Sequence, residues 1–143
     1  HHYRGKSDEE IRALADADGY MGIVTLPWFI APDRESPTID VLIEHLDHAG
    51  SILGTDNIGL GTDFYPADRL FPVELLEYYK EHIIRLGFDR EKVEQRDIAA
   101  GLGEFETYQN WPRVQTKLEE HFSADAIDGV LGENFLQFWA RSV

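Results

Sequence analysis

The sequence contains no cysteine and few basic residues. Without cysteine there can be neither disulfide bonds nor thiolate chemistry, so any metal ion must be held by His, Asp or Glu. Thirteen Lys and Arg residues stand against 27 Asp and Glu residues, which gives a net charge of −14. This charge opposes binding to phosphate backbones and anionic lipid. We therefore expect neither nucleic acid nor a membrane as a partner.

Long apolar runs are also lacking. The most apolar stretch, residues 20–30, is too short to span a bilayer and contains Pro27, and no signal peptide opens the chain. We expect a soluble protein, and the compartment stays open with the cytoplasm favoured. The 143 residues are 43% hydrophobic, which is enough for one packed domain.

Helical and strand patterns alternate along the chain. Ser7 and Glu10 form a capping box before a short helix, and residues 20–26 (YMGIVTL) are typical of a strand buried on both faces. Thr38 is placed to cap a second helix, and residues 58–62 (IGLGT) read as another buried strand. The short links between these elements predict an α/β fold with a parallel sheet.

The pattern changes after Asp63. Residues 66–100 are strongly charged and mostly helical in pattern, and we expect this insertion to lie over the carboxyl end of the sheet as a lid or subunit contact. The remaining helices are predicted from three signals: Asn110 before Trp111-Pro112, a Ser123 cap, and a closing helix whose Phe135, Phe138 and Trp139 dock against an apolar surface.

Two parallel strands alone do not make a stable sheet that is buried on both faces. We therefore expect residues 1–143 to form one C-terminal portion of a larger domain, an interpretation that also suits a chain beginning at His1 rather than Met. The alternative is a homodimer in which a second copy completes the sheet.

Asp63 and Arg4 are the candidate functional residues. Asp63 follows a predicted parallel strand, and ligands gather at the carboxyl ends of such strands, although an Asp here is also a common turn cap. Arg4 precedes a helix start, where its guanidinium can grip a carboxylate, although a plain surface arginine fits equally. His45 and His48 are three apart on one helix, which is not zincin spacing, so we expect hydrogen-bonding roles rather than metal ligation.

Five segments in order resemble the membrane (renal) dipeptidase family. They are RGKSDEEIRALA from Arg4, TIDVLIEHLDHAG from Thr38, NIGLGTDF from Asn57, GEFETYQNWPRV from Gly103 and LGENFLQFW from Leu131. The resemblance implies the C-terminal part of a (β/α)8 barrel, with these two strands as the seventh and eighth. It also implies a zinc-dependent dipeptidase with two zinc ions and dipeptide substrates.

The same resemblance assigns roles to the two candidates. Asp63 matches the catalytic Asp after the last strand, which contacts substrate, accepts the proton of metal-activated water and returns it to the leaving amine. Arg4 matches the arginine that binds the substrate's terminal carboxylate, although Gly5 replaces the usual Asn.

The family's metal ligands match no residue of this chain, so we expect them upstream, in the remainder of the barrel, and expect the chain alone to be inactive. The alternative function is a catalytically inactive acidic interaction module or barrel homologue that binds a basic partner.

Overall fold

The computed structural model describes residues 5–32, 36–63, 73–95 and 101–143. Helices and two strands follow one another along these ranges. In order they are α1 (Asp8–Asp16), β1 (Met21–Val24), α2 (Pro27–Ile30), α3 (Ile39–Leu53), β2 (Ile58–Gly61), α4 (Leu76–Arg85), α5 (Arg90–Gln95), α6 (Trp111–His121), α7 (Ala124–Asp128) and α8 (Asn134–Ser142). None of these helices combines the length and apolarity that a membrane span requires.

Strands β1 and β2 pair in parallel, with Met21 opposite Ile58 and Val24 opposite Gly61. The predicted parallel pairing is confirmed, and both strands are shorter than predicted. Directly after Leu26 the chain forms the short helix α2. Pro27 occupies its first turn, where the fixed φ of proline suits a helix and its missing N–H costs nothing.

The two faces of this sheet differ. Met21, Ile23, Ile58 and Leu60 share one face, which packs into the main core together with α3. The fully buried side chains of that core include Leu42 and Leu46 of α3, Leu118 of α6 and Phe105. Each such burial contributes roughly 1.5–3 kcal/mol to stability. Gly22 and Gly61 lie on the other face and are exposed. The expectation of strands buried on both faces is therefore wrong at these two positions.

Two of the three predicted helix caps form. Ser7 Oγ accepts the Glu10 amide at 3.3 Å, and the Glu10 carboxylate accepts the Ser7 amide at 2.8 Å, which holds the pKa of Glu10 below its ordinary value. Ser123 Oγ accepts the Ala126 amide at 3.4 Å. Thr38 is a correction, because its hydroxyl donates to the Asp40 carboxylate at 2.9 Å instead of capping α3. The charged Asp40 carboxylate is a strong acceptor that orients the Thr38 hydroxyl towards itself, and it also contacts Lys117 Nζ at 3.2 Å.

Helices α4 and α5 pack at the carboxyl end of β1. Ile83 of α4 and Val93 of α5 form a second apolar cluster with Leu26 and Trp28, the residues that follow β1, and all four are buried. The described part of the predicted insertion, residues 73–95, therefore lies at the end of the sheet where Asp63 also lies. Residues 66–72 and 96–100 fall outside the described ranges.

Helix α8 packs at the opposite end, where the strands begin. Phe135 and Phe138 contact Tyr20 with ring centroids 5.6 and 5.8 Å apart, as expected for docking on an apolar surface. Trp139 contacts Phe135 and remains 58% exposed. Asn134 is buried at the start of α8, where its Nδ2 donates to the carbonyls of Thr55 at 2.7 Å and Ile58 at 2.9 Å. This amide fastens α8 to the amino end of β2.

Candidate functional site at the carboxyl end of the sheet

Asp63 lies two residues beyond the last residue of β2, and its side chain is exposed. Its backbone has φ 53°, in the left-handed region. A non-glycine residue in that region costs on the order of 1 kcal/mol, so the surrounding contacts must hold it there. Backbone conformations of this kind concentrate at functional sites. The geometry sets Asp63 apart from an ordinary residue continuing a strand.

Thr62, next to Asp63, is held by hydrogen bonds on two sides. Its carbonyl accepts the Thr25 hydroxyl at 2.7 Å, and its own hydroxyl lies 2.8 Å from Tyr108 Oη. Thr25 is fully buried directly after β1, and Tyr108 is 46% exposed. The two contacts come from different parts of the chain, which together fix the backbone that leads into Asp63.

The loop that carries Tyr108 is anchored in the main core. Leu102 and Phe105 are fully buried there. The side chain of Asn110 then closes the turn, because its Oδ1 accepts the amides of Glu106 and Thr107, each at 3.3 Å. Helix α6 begins directly after Asn110, as predicted, although the Asn110 side chain makes no cap bond to it. Through the turn that it closes, this side chain holds Tyr108 close to Thr62.

Glycines shape the open face of the site. Gly22 of β1 and Gly61 of β2 are diagonal neighbours on the two paired strands. A Cβ added to Gly22 would lie 3.5 Å from the Gly61 amide nitrogen, which is an ordinary van der Waals contact. These glycines are therefore not required by local crowding. Their effect is to leave these two positions of that face without side chains, while Val24, on the same face opposite Gly61, packs against the second apolar cluster.

The two helical histidines have hydrogen-bonding roles. His45 Nε2 lies 2.7 Å from the Ile30 carbonyl, and His48 Nε2 lies 2.9 Å from the Asp8 carboxylate. Within residues 5–32, 36–63, 73–95 and 101–143, no group of three His, Asp or Glu side chains is arranged to hold a metal ion. These residues therefore do not fit a catalytic zinc site.

Of the sequence-predicted site residues, Asp63 falls in the described part of the chain and Arg4 falls outside it. Thr25 and Tyr108 were not predicted. Thr25 looked like the end of a buried strand, and Tyr108 is 46 residues from Thr62 in sequence. The one signal for Tyr108 was its place in the GEFETYQNWPRV segment, which has a counterpart in the resembled family.

Comparisons with known proteins agree on one family. Residues 1–96, more than half of the chain, match the family model described as membrane dipeptidase, peptidase family M19. The chain is 33% identical over 63 residues to dipeptidase tcpJ of Claviceps purpurea. It is 36% identical over 64 residues to an uncharacterised dipeptidase of Schizosaccharomyces pombe. Each match covers 44% of this chain, and 15% and 16% of those relatives.

Solved structures show the same fold over nearly the whole chain. A metallopeptidase of Rhodobacter sphaeroides, bound to a phosphinate mimic of the dipeptide L-Ala-D-Ala, matches with a TM-score of 0.70 and 17% identity, over 98% of this chain and 32% of that one. An amidohydrolase of Pseudomonas aeruginosa matches with a TM-score of 0.69 and 26% identity, over 96% and 40%. The fold is thus α/β and corresponds to part of a barrel. The chain belongs to the membrane dipeptidase family, peptidase family M19.

Proposed function

We propose that this chain supplies the seventh and eighth strands of a (β/α)8 barrel in a zinc-dependent dipeptidase, with Asp63 as its catalytic carboxylate. The observation that carries the proposal is the position of Asp63, exposed just beyond the carboxyl end of a parallel strand with a left-handed backbone. Catalytic residues of barrel enzymes come from this end of the strands. Family membership supplies the reaction class, because the relatives are named as dipeptidases.

Asp63 would act as a general base and then as a general acid. Its carboxylate accepts a proton from the water that attacks the peptide carbonyl, and the same proton passes to the amine as the C–N bond breaks. The exposed carboxylate of Asp63 lies near two positions of the sheet face, Gly22 and Gly61, that have no side chains, and this leaves room for a substrate there. This arrangement supports Asp63 as the group that transfers the proton to and from a dipeptide bound beside it.

The remaining strands and the zinc ligands would come from polypeptide outside residues 1–143. A two-stranded parallel sheet with exposed glycines on one face is only part of a stable barrel. The chain also covers about a third of the solved metallopeptidase and about a sixth of the curated relatives. We propose two zinc ions in the whole enzyme.

Dipeptides are the proposed substrates, including those with a D-residue at the C-terminal position. Support comes from the Rhodobacter relative, which binds a mimic of L-Ala-D-Ala. Arg4 would bind the substrate's terminal carboxylate through a bidentate guanidinium contact. Helices α4 and α5, which pack beside the same end of the sheet, would form one wall of the substrate site.

Replacement of Asp63 by Asn tests the proposal, because it keeps the side chain's shape and removes the proton acceptor. In the dipeptidase that contains this chain, we expect kcat to fall on the order of 10² to 10⁴ with KM little changed. Zinc content and thermal stability, measured on the same samples, serve as controls. Full turnover of Asp63→Asn with zinc bound would reduce Asp63 to a turn residue.

A further inference from the structure

We infer that Thr25 is a positioning residue for Asp63, acting through the backbone of Thr62. This inference rests on the proposed function and deepens it. The Thr25 hydroxyl donates to the Thr62 carbonyl at 2.7 Å, and no part of Thr25 is exposed. Thr25 has no contact with the reacting atoms in this scheme, so its influence passes through the next peptide unit.

The first step is the connectivity of that peptide unit. The carbonyl of Thr62 and the amide of Asp63 belong to one rigid planar group. A hydrogen bond that fixes the Thr62 carbonyl therefore also fixes the amide nitrogen from which the φ angle of Asp63 is turned. Thr25 thereby constrains the residue whose backbone is in the left-handed region at φ 53°.

The second step is the burial of the Thr25 hydroxyl. A buried hydroxyl needs a hydrogen-bond partner, and Thr25 directs its proton across the sheet to the chain segment after β2. Thr25 also follows β1, whose register with β2 is fixed by four residue pairs. The donor is consequently part of a rigid element, as a positioning contact requires.

The third step is the second contact on Thr62. Its hydroxyl lies 2.8 Å from Tyr108 Oη, and Tyr108 is carried by the turn that Asn110 closes. The side chain and the carbonyl of Thr62 are therefore held from opposite parts of the chain. The two contacts together hold the peptide unit that joins Thr62 to Asp63, and thereby the point from which the Asp63 side chain departs.

The experiment compares three variants in the active dipeptidase. Thr25→Val keeps the shape and removes the donor, and Thr25→Ser restores the hydroxyl. Thr116→Val is the control, because it removes a hydroxyl that donates to a backbone carbonyl, Pro112 at 3.0 Å, within α6, without touching Thr62 or Asp63. We expect Thr25→Val to lower kcat on the order of 10- to 100-fold, with KM within about twofold of wild type. Thr25→Ser should retain most of the wild-type kcat, and Thr116→Val all of it.

Two further measurements separate positioning from a general loss of structure. In the Asp63→Asn background, Thr25→Val should cause little additional loss, because the positioned carboxylate is already absent. Amide hydrogen exchange in the peptide containing Thr62 and Asp63 should quicken in Thr25→Val and stay unchanged in Thr116→Val. If Thr25→Val fails to fold, Thr25→Ala decides, since it removes the same donor without placing a second methyl group where the hydroxyl lies.

The outcomes distinguish this inference from the proposed function. Wild-type kcat and exchange in Thr25→Val, or in Thr25→Ala should that variant have to decide, overturn the positioning role. Full activity of Asp63→Asn overturns the proposed catalytic role, and the exchange measurement still reports whether Thr25 holds the Asp63 backbone. A loss in Asp63→Asn without any loss in Thr25→Val leaves the function standing and removes Thr25 from it.

Discussion

Arg4 is the residue whose proposed role depends most on its exact chemistry. Arg4→Lys keeps the positive charge and loses the planar fork that matches a carboxylate. We expect it mainly to raise KM in the active dipeptidase, by an amount equivalent to roughly 1.5–3 kcal/mol for a charge-assisted hydrogen bond. Steady-state kinetics with a dipeptide and with its C-terminal amide check this prediction. The amide should bind the wild type poorly and lose little more in the variant, whereas an equal loss for both substrates would argue against Arg4.

A glycine is needed at position 59 for a steric reason. A Cβ built on Gly59 would lie 2.0 Å from Tyr20 Oη and 3.2 Å from the Val130 carbonyl oxygen. We expect Gly59→Ala to lower the free energy of unfolding by about 1–3 kcal/mol, as overpacking of a core does. Chemical denaturation measures the effect.

The control for Gly59 is its partner in the strand register. Gly22→Ala should change stability little, because the nearest atom to its new Cβ would be 3.5 Å away. Tyr20→Phe removes the closest atom and should recover part of the loss in Gly59→Ala. Additive losses in the double variant would show that the hydroxyl is not the obstacle.

At the scale of elements, the buried amide of Asn134 contributes to the attachment of α8. Asn134→Ala leaves the carbonyls of Thr55 and Ile58 without this donor at the start of β2. A buried polar group without a partner costs about 1–3 kcal/mol, and we expect a loss of that order in the free energy of unfolding. Gln115→Ala is the control, because the side-chain amide of Gln115 donates to the exposed carboxylate of Glu119. Equal stability of the two variants would contradict the role given to Asn134.

Local signals in the sequence predicted the elements well. The S-x-x-E box at Ser7 and the Ser123 cap act within three residues, and both form as predicted. The parallel pairing of β1 and β2 followed from two apolar runs separated by a helix. Thr38 forms no side-chain cap, because its hydroxyl is oriented towards the Asp40 carboxylate, a contact that the cap pattern does not contain.

The candidate site was predictable only in part. Asp63 could be proposed from the sequence because its position after a strand is a sequence property. The contacts that hold it join residues 37 and 46 positions apart, Thr25 with Thr62 and Thr62 with Tyr108. No periodicity or cap pattern encodes such distances, so these partners required the folded structure. The close approach of Tyr20 to Gly59 could not be predicted from the sequence for the same reason.

At the scale of the whole molecule, the described residues form a two-stranded parallel sheet and the helices that cover it. A catalytic zinc ion is typically held by three protein ligands, and the described residues offer no such group. We expect the 143-residue polypeptide alone to bind no stoichiometric zinc pair and to hydrolyse no dipeptide. Elemental analysis after dialysis, alongside an activity assay, checks both points. Two zinc ions per chain with turnover would place the ligands within these residues and refute the proposal.

The three tryptophans lie in three different surroundings, which makes the protein its own optical reporter. Trp28 is buried between the sheet end and α4–α5, Trp111 packs against Phe105 in the main core, and Trp139 is largely exposed on α8. Buried indoles emit at shorter wavelengths than hydrated ones. Variants that retain a single tryptophan would therefore show separately when the α4–α5 helices detach, when the main core melts, and when α8 meets a partner surface.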